Sequence, residues 1–327
     1  MQLMAFRLQD IALLLAALAW HTGAAAQEPP AGYPARPIRI IVPVVPGGGL
    51  DTLVRAVSQH LAERWGQSVI VDNRPGGGTV LATEISAKAA PDGYTFFAGT
   101  DTLRVLGVTK RVSMDVRRAF DPVVPMAGQP YILIVTPTLP VKNVKELIGY
   151  SKKNSISYGS SGVGTVAHIG LEYFTTLSGA GLVHVPYKGG AQALLALLGG
   201  EIQMYPGLLV SAGAAIKSGK ARPLAALSLK RIPALPELPT VAEQGFPGFK
   251  ITNSYSLFAP AGTPKPIVSA VNRIVGEYMH GPQITQKLAA EGSQPAERMT
   301  PEEFKAFFAR EYEDVERQIS QIKVKLY

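Results

Sequence analysis

The sequence predicts an α/β protein whose parallel sheets fall into two domains. A unit of buried strand, Gly-rich turn and amphipathic helix recurs along the chain, and the recurrence forms two blocks on either side of "VTPTLPVKN". The composition is that of a folded chain: 46% of 327 residues are hydrophobic and 17% are charged. That length suffices for two domains with sizeable cores.

The first 26 residues read as a secretory leader. Arg7 is a weak basic start, Ile11 to Trp20 ("IALLLAALAW") is the apolar core, and Ala24, Ala25 and Ala26 fit the small-residue cleavage rule. The apolar core is shorter than the roughly 20 residues a membrane span needs. A periplasmic protein starting at Gln27 is expected, cleaved after Ala26. The chain has no cysteine, which excludes disulfides and a lipidated N-terminal cysteine.

"IRIIVPVV" is a nearly unbroken apolar run and predicts a buried strand. Helix 51–64 follows, with Val54, Val57, Leu61 and Trp65 at helical spacing. "SVIVD" is the next strand, "NRPGGGT" a turn with Thr79 as a helix cap, "PDG" a turn and "YTFFAG" a strand. In the second block Asn143 caps helix 144–153, and "ISYG" leads through "SSGVGT" into helix 166–177. "LVHVPY" leads through "KGG" into helix 191–198, and "IQMY" through a turn "PG" into helix 208–217. "RPLAAL" is a further strand, "ITNSYSLFAPAGTP" a return strand, and helices near 264–280, 283–291 and 301–320 close the chain.

This arrangement gives the glycines of "IVPVVPGGGLDTLVRAV" a purpose. Ligands of open α/β sheets sit beyond the carboxyl ends of the strands. Glycine lets backbone approach closely, and a helix start offers free N–H groups and partial positive charge. Gly47, Gly48 and Gly49 are therefore expected to hold an anionic group over a helix capped by Asp51.

Other chemistries are poorly supported. "GVGTVA" (Gly162 to Ala167) matches a dinucleotide fingerprint, but the next strand "LVHVPYK" lacks the acid that would bind ribose. "KSGKA" resembles the end of a phosphate-binding loop, yet Gly213 falls one residue early and Ala221 replaces the hydroxyl residue. There is no G-x-S-x-G, and His60, His168, His184 and His280 share no metal-ligand spacing. His60 and His184 are expected to be structural. No catalytic residue, cofactor or metal site is expected. The net charge is +8, spread along the chain; the densest basic stretch, "KRVSMDVRR", is interrupted and does not suggest nucleic-acid binding.

The ordered motifs "YPARPIRIIVPVVPGGGLD", "VDNRPGGGT", "KAAPDGYTFF", "ISYGSSGVGTVAHIGLEYF", "VPYKGGAQALLALLGGEIQM", "IKSGKARPLAALS", "LPELPTVAEQGFPGF" and "LFAPAGTP" resemble those of Bug-type receptors, the substrate-binding components of tripartite tricarboxylate transporters. The resemblance runs from about Tyr33 to the C-terminus. It implies a two-domain, type II-like periplasmic binding fold, each domain a mainly parallel sheet flanked by helices, with the ligand cleft between them. The expected division is residues 33–132 with 254–327 against 133–253, hinged where strands cross near 131–136 and 252–258.

The resemblance also implies a carboxylate held by loop backbone and water. Its first-domain contacts are Pro46, Gly47, Gly48 and Asp51. Its second-domain contacts are Ser160, Ser161, Gly162, Gly164, Thr165 and His168, with Tyr187 and Gly189 from "VPYKGG". Thr100, in the loop "GTDTLR", and Tyr205 complete the expected set. The chain departs from the family pattern at Val44, at Leu50, around Pro206 where an Asp is usual, and in "GTDTLR".

The expected function is a periplasmic receptor delivering a small organic acid to inner-membrane permease subunits, as a monomer not embedded in the membrane. The alternatives are a ligand-sensing input for a membrane sensor kinase and, remotely, an exported enzyme. Leu50, Tyr187, Tyr205 and Tyr255 are expected to wall the cleft and favour a monocarboxylate with an apolar or aromatic body over citrate, with Arg104 able to meet a second carboxylate unless Asp101 pairs with it.

Overall fold

The computed structural model describes residues 30–322. The expected leader lies outside them. Two blocks of strands and helices are joined by one long strand. The first block holds β1 (Ile38–Val42), α1 (Gly49–Trp65), β2 (Val69–Asn73), a 3₁₀ turn (Gly77–Thr79), α2 (Val80–Ala87), β3 (Thr95–Thr100), α3 (Thr102–Val108) and α4 (Val116–Ala119). Then comes β4 (Phe120–Val135). The second block holds α5 (Val144–Ser151), β5 (Ile156–Ser160), α6 (Val166–Ser178), β6 (Leu182–Pro186), α7 (Gly190–Leu198), β7 (Met204–Leu208), α8 (Leu209–Lys217) and β8 (Arg222–Ala226). The chain returns through β9 (Thr252–Pro260) and ends with α9 (Lys265–Met279), α10 (Pro282–Ala290), β10 (Gln294–Pro295) and α11 (Pro301–Gln321).

The strands follow one path, β2-β1-β3-β9-β4-β7-β5-β6, with β8 and β10 both added on β4. Pairing is parallel within β2-β1-β3 and within β6-β5-β7, the strands each followed by a helix. It is antiparallel wherever β4 and β9 take part. Each half is therefore a mixed sheet whose parallel part comes from its strand-turn-helix units. β4 pairs with β9 as far as Pro130 and with β7 and β8 from Tyr131 onward, so a single strand belongs to both halves.

Burial explains the elements. Ile38, Ile40, Ile41 and Val42 are fully buried, as a central parallel strand covered on both faces requires. Leu50, Leu53, Val54, Val57 and Leu61 form the inward stripe of α1. Asn143 caps α5 by accepting from Glu146 N–H, and α11 opens with a full capping box between Thr300 and Glu303. α11 packs Phe304, Phe308 and Tyr312 on the first half, and its Glu311 pairs with Lys250 at 2.9 Å. No helix among the described residues is long and apolar enough to cross a membrane.

Several local expectations need correction. Pro206 and Gly207 are not a turn but lie inside β7. β5 meets β7 only at Met204, so one side of the strand has no ladder at Pro206, and a missing N–H is tolerated there. "GTDTLR" is not a loop, because α3 begins at Thr102. Thr79 precedes α2 but does not cap it with its side chain; it has φ 77°, and its carbonyl accepts from Thr83 Oγ1 instead. Asp51 is not the cap of α1. Gly48 holds that position, and Asp51 lies three residues further in.

Candidate functional site

The turn after β1 places Pro46 and Gly47 at the surface and Gly48 and Gly49 half-buried at the start of α1. Gly47 adopts φ 86°, a conformation that favours glycine. Asp51 reaches back from the first turn of α1 to accept Gly47 N–H at 2.9 Å, and it also holds Arg55 and Asn73. Burial works against its charge. The Arg55 guanidinium, the Gly47 N–H and the Asn73 amide outweigh burial and hold the carboxyl below its ordinary range. Asp51 thus braces the turn, while the free N–H groups beginning α1 remain for an anion. Val44 O accepts from Asn73, tying the same turn to β2.

The second loop, between β5 and α6, is supported from behind. Ser160 is fully buried; its hydroxyl donates to Gly162 O, accepts Gly162 N–H and sits 2.7 Å from His184 Nε2. Thr165 caps α6 and donates to Gly162 O at 2.8 Å. Gly164 N–H donates to His168 Nδ1 at 3.1 Å, and the His168 ring stacks on His184 with centroids 3.9 Å apart. Burial, then His184 and Arg111, lower the His168 pKa to about 3, and burial lowers that of His184 to about 4. Both rings are therefore neutral at pH 7. Gly162 (φ 138°) and Gly164 (φ 75°) allow the tight path.

Three buried phenols, Tyr131, Tyr205 and Tyr255, lie near one another. A Cβ on Gly49 would stand 3.0 Å from the Tyr255 hydroxyl, and one on Gly190 would stand 2.7 Å from the Tyr205 hydroxyl. Tyr255 thus touches the start of α1 and Tyr205 the start of α7. Burial, then Tyr205, Tyr255 and Asp101, push the Tyr131 pKa well up, which places Tyr131 among them. Gln129 accepts from the Tyr255 hydroxyl at 2.7 Å and from Asn253 at 3.4 Å. The Tyr131 and Tyr205 hydroxyls have no hydrogen-bond partner among the described residues.

The two lobes also touch across the cleft. Arg111 donates to Val163 O at 2.6 Å in the second lobe and to Gly77 O at 3.4 Å in the first. Thr100 ends β3 and accepts Thr102 N–H at 3.3 Å, and Tyr187 lies against Gly159 and Gly162. Gly189 precedes α7 in extended conformation. Ser161 is half-buried in the second loop.

The structure therefore brings the start of α1 against Tyr255 and the start of α7 against Tyr205, with Tyr131 near both phenols, while the second loop meets Tyr187 and Arg111. Leu50 is placed elsewhere: it is 2% exposed within the first-lobe core. Arg104 is buried against Asp101 at 2.6 Å and packs over Phe308, so it is already paired. Sequence reasoning missed Gln129, Tyr131, Asn253 and Arg111 as site neighbours. The signal for Gln129 was present, since a glutamine inside the apolar stretch "VVPMAGQPYILIV" needs a buried partner.

A family model described as tripartite tricarboxylate transporter family receptor matches residues 53–324. Protein BugT of Bordetella pertussis (strain Tohama I) is 33% identical over 288 residues, covering 85% of this chain and 87% of BugT. The structure of R. palustris Rpa4515 with adipate superposes with a TM-score of 0.82 at 33% identity, covering 89% of this chain and 98% of that one. MatC from Rhodopseudomonas palustris with bound malate gives a TM-score of 0.78 at 26% identity, covering 88% of this chain and 100% of that one.

Proposed function

Because the chain belongs to the receptor family of tripartite tricarboxylate transporters, we propose that it is an exported solute receptor that closes on a small carboxylate and presents it to inner-membrane permease subunits. The observation that carries this reading is a pair of helix starts set against neighbouring phenols: α1 meets Tyr255 at Gly49, α7 meets Tyr205 at Gly190, and Tyr131 lies near both phenols. Free N–H groups at helix starts bind anions without a charged side chain.

The same geometry favours a small dicarboxylate over the apolar-bodied monoacid expected from sequence. Leu50 is in the core and does not wall the cleft. Tyr131 and Tyr205 offer hydroxyls to a polar ligand, and a helix start in each lobe suits a carboxylate at each end. The ligands seen with Rpa4515 and MatC, adipate and malate, are both dicarboxylates. Isothermal titration of purified protein with adipate, malate, benzoate and citrate tests the reading. Binding of adipate or malate above benzoate is expected. Tight benzoate binding with no response to either diacid would overturn the dicarboxylate assignment.

Residues 33–132 with 254–327 form one closing unit in this reading, and 133–253 the other. It is supported by the change of partners of β4 after Pro130 and by β9 beginning at Thr252. Small-angle scattering should give a smaller radius with a bound carboxylate. The protein acts in the periplasm as a monomer after cleavage behind Ala26, and mass spectrometry of the periplasmic form should begin at Gln27. Pull-down from membranes should recover permease subunits; recovery of a sensor kinase in their place would move the protein from transport to signalling.

A further inference from the structure

Arg111 is anchored in the first lobe. Helix α3 ends with Lys110 N–H donating to Gly107 O at 3.2 Å and Arg111 N–H donating to Leu106 O at 3.0 Å. Lys110 takes φ 52° to make this closure possible. Leu103 and Leu106 fix the helix in the core. The backbone of Arg111 is therefore set before its side chain leaves toward the other lobe.

The far end of that side chain holds one peptide unit. Arg111 Nη1 donates to Val163 O at 2.6 Å, and the N–H of the same peptide, on Gly164, donates to His168 Nδ1 at 3.1 Å. One end of the Val163–Gly164 peptide is thus fixed by the first lobe and the other by the second. His168 is itself 4% exposed and stacked on His184, which touches Ser160 at the root of the loop. The fit is close: a Cβ on Gly164 would stand 2.3 Å from the guanidinium, and one on Gly78 would stand 3.2 Å from Val163 O.

We propose that Arg111 is a positioning residue for ligand capture, whose guanidinium crosses the cleft to orient the Val163–Gly164 peptide, so that the second-lobe loop takes its binding shape only when the lobes close. Opening the lobes takes the carbonyl from its charged donor and leaves His168 alone to hold the peptide. Closure and loop order are then one event. The other guanidinium nitrogen, Nη2, donates to Gly77 O at 3.4 Å, so one side chain bridges the "NRPGGGT" turn and the second-lobe loop. The inference rests on the cleft being the ligand site, but it concerns the protein without ligand.

The chain has no cysteine, so a labelled pair is simply introduced. Lys88→Cys, just past the end of α2, and Leu195→Cys on α7, which is 67% exposed, carry spin labels for pulsed dipolar distance measurement. In the absence of any carboxylate, a short-distance population is expected. Arg111→Met, which keeps the apolar stem, should reduce it about tenfold, the scale of one charged hydrogen bond, and Arg111→Lys should restore part of it. Amide exchange should speed up across 160–168 in Arg111→Met, in the lobe that does not contain the mutation. An unchanged distance distribution, or faster exchange confined to the first lobe around 77–79 and 106–111, would overturn the proposal. Neither measurement uses a carboxylate, so failure here leaves the carboxylate reading standing, and a failed ligand panel leaves this inference standing.

Discussion

Gly49 and Tyr255 meet where the first helix enters the cleft: a Cβ on Gly49 would stand 3.0 Å from the Tyr255 hydroxyl and 3.4 Å from Gln129 Nε2. The glycine makes room for the phenol, and the phenol is held by Gln129 at 2.7 Å. Gly48, one residue earlier, is different. It has φ −74°, and a Cβ there would meet only Val45 O at 3.7 Å and a Val44 methyl at 3.9 Å.

Substitution at these two glycines should separate fold from function. Gly49→Ala should displace Tyr255 and cost about 1 kcal/mol of stability, read from denaturant unfolding. Gly48→Ala should leave stability unchanged within about 0.5 kcal/mol and weaken adipate binding, read by calorimetry. Adipate affinity undiminished in Gly48→Ala would remove Gly48 from the ligand surface.

Asp51 is expected to matter for stability more than its first-turn position suggests. Asp51→Ala strips an acceptor from Gly47 N–H and the Asn73 amide, and should cost about 2 kcal/mol. The carboxyl is held below its ordinary pKa, so its contribution is present at neutral pH and is lost as pH falls through that lowered value. Thermal melts of wild type and variant should converge in acid; a constant gap down to pH 2.5, chosen as roughly the lower limit for carboxylate titration, would contradict the assignment.

The paired histidines make stability fall as pH drops below neutral. Their native pKa values are about 3 for His168 and about 4 for His184, against 6.5 for a free ring. Above 6.5 the rings are neutral folded and unfolded alike. Between that value and the native pKa, the unfolded chain binds protons that the native state refuses, so unfolding is favoured. At pH 5 His168 alone should account for about 2 kcal/mol. His168→Gln should flatten the decline between pH 7 and 5; an equally steep decline in that variant would show that the ring is not the source.

Tyr131 tests whether the buried phenols meet the ligand. Its hydroxyl has no partner among the described residues, so Tyr131→Phe should leave unfolding free energy unchanged within about 0.5 kcal/mol. A weaker affinity for malate or adipate with unchanged stability would place the hydroxyl on the ligand. A stability loss above about 1 kcal/mol would instead reveal a structural hydrogen bond.

The strand-turn-helix units were legible in the sequence because each carries its own local signals. The apolar run at Ile38–Val42, the helical stripe through Val54, Val57 and Leu61, and the cap Asn143 are all short-range features. What escaped was set at long range. β4 is 16 residues long and includes Pro122, Pro125 and Pro130, which break any reading as one strand. Pro206 and Gly207 carry turn chemistry, yet pairing with Leu133 and Ile132 draws them into β7. The loops of the site were visible as glycines before helices. The contacts that orient them were not, because Arg111 and Val163 lie 52 positions apart and only the fold brings them together.

The shared strand has a consequence for how this molecule is assembled and inherited. Since β4 supplies ladder partners to both sheets, neither lobe can be cut free without exposing an unpaired edge in what remains. The second lobe interrupts the first in the chain, which is completed only when β9 returns at Thr252. A nascent chain therefore carries an unfinished first sheet until most of its length has been made. Calorimetry should show one cooperative transition instead of two, and an isolated fragment ending before β9 should aggregate.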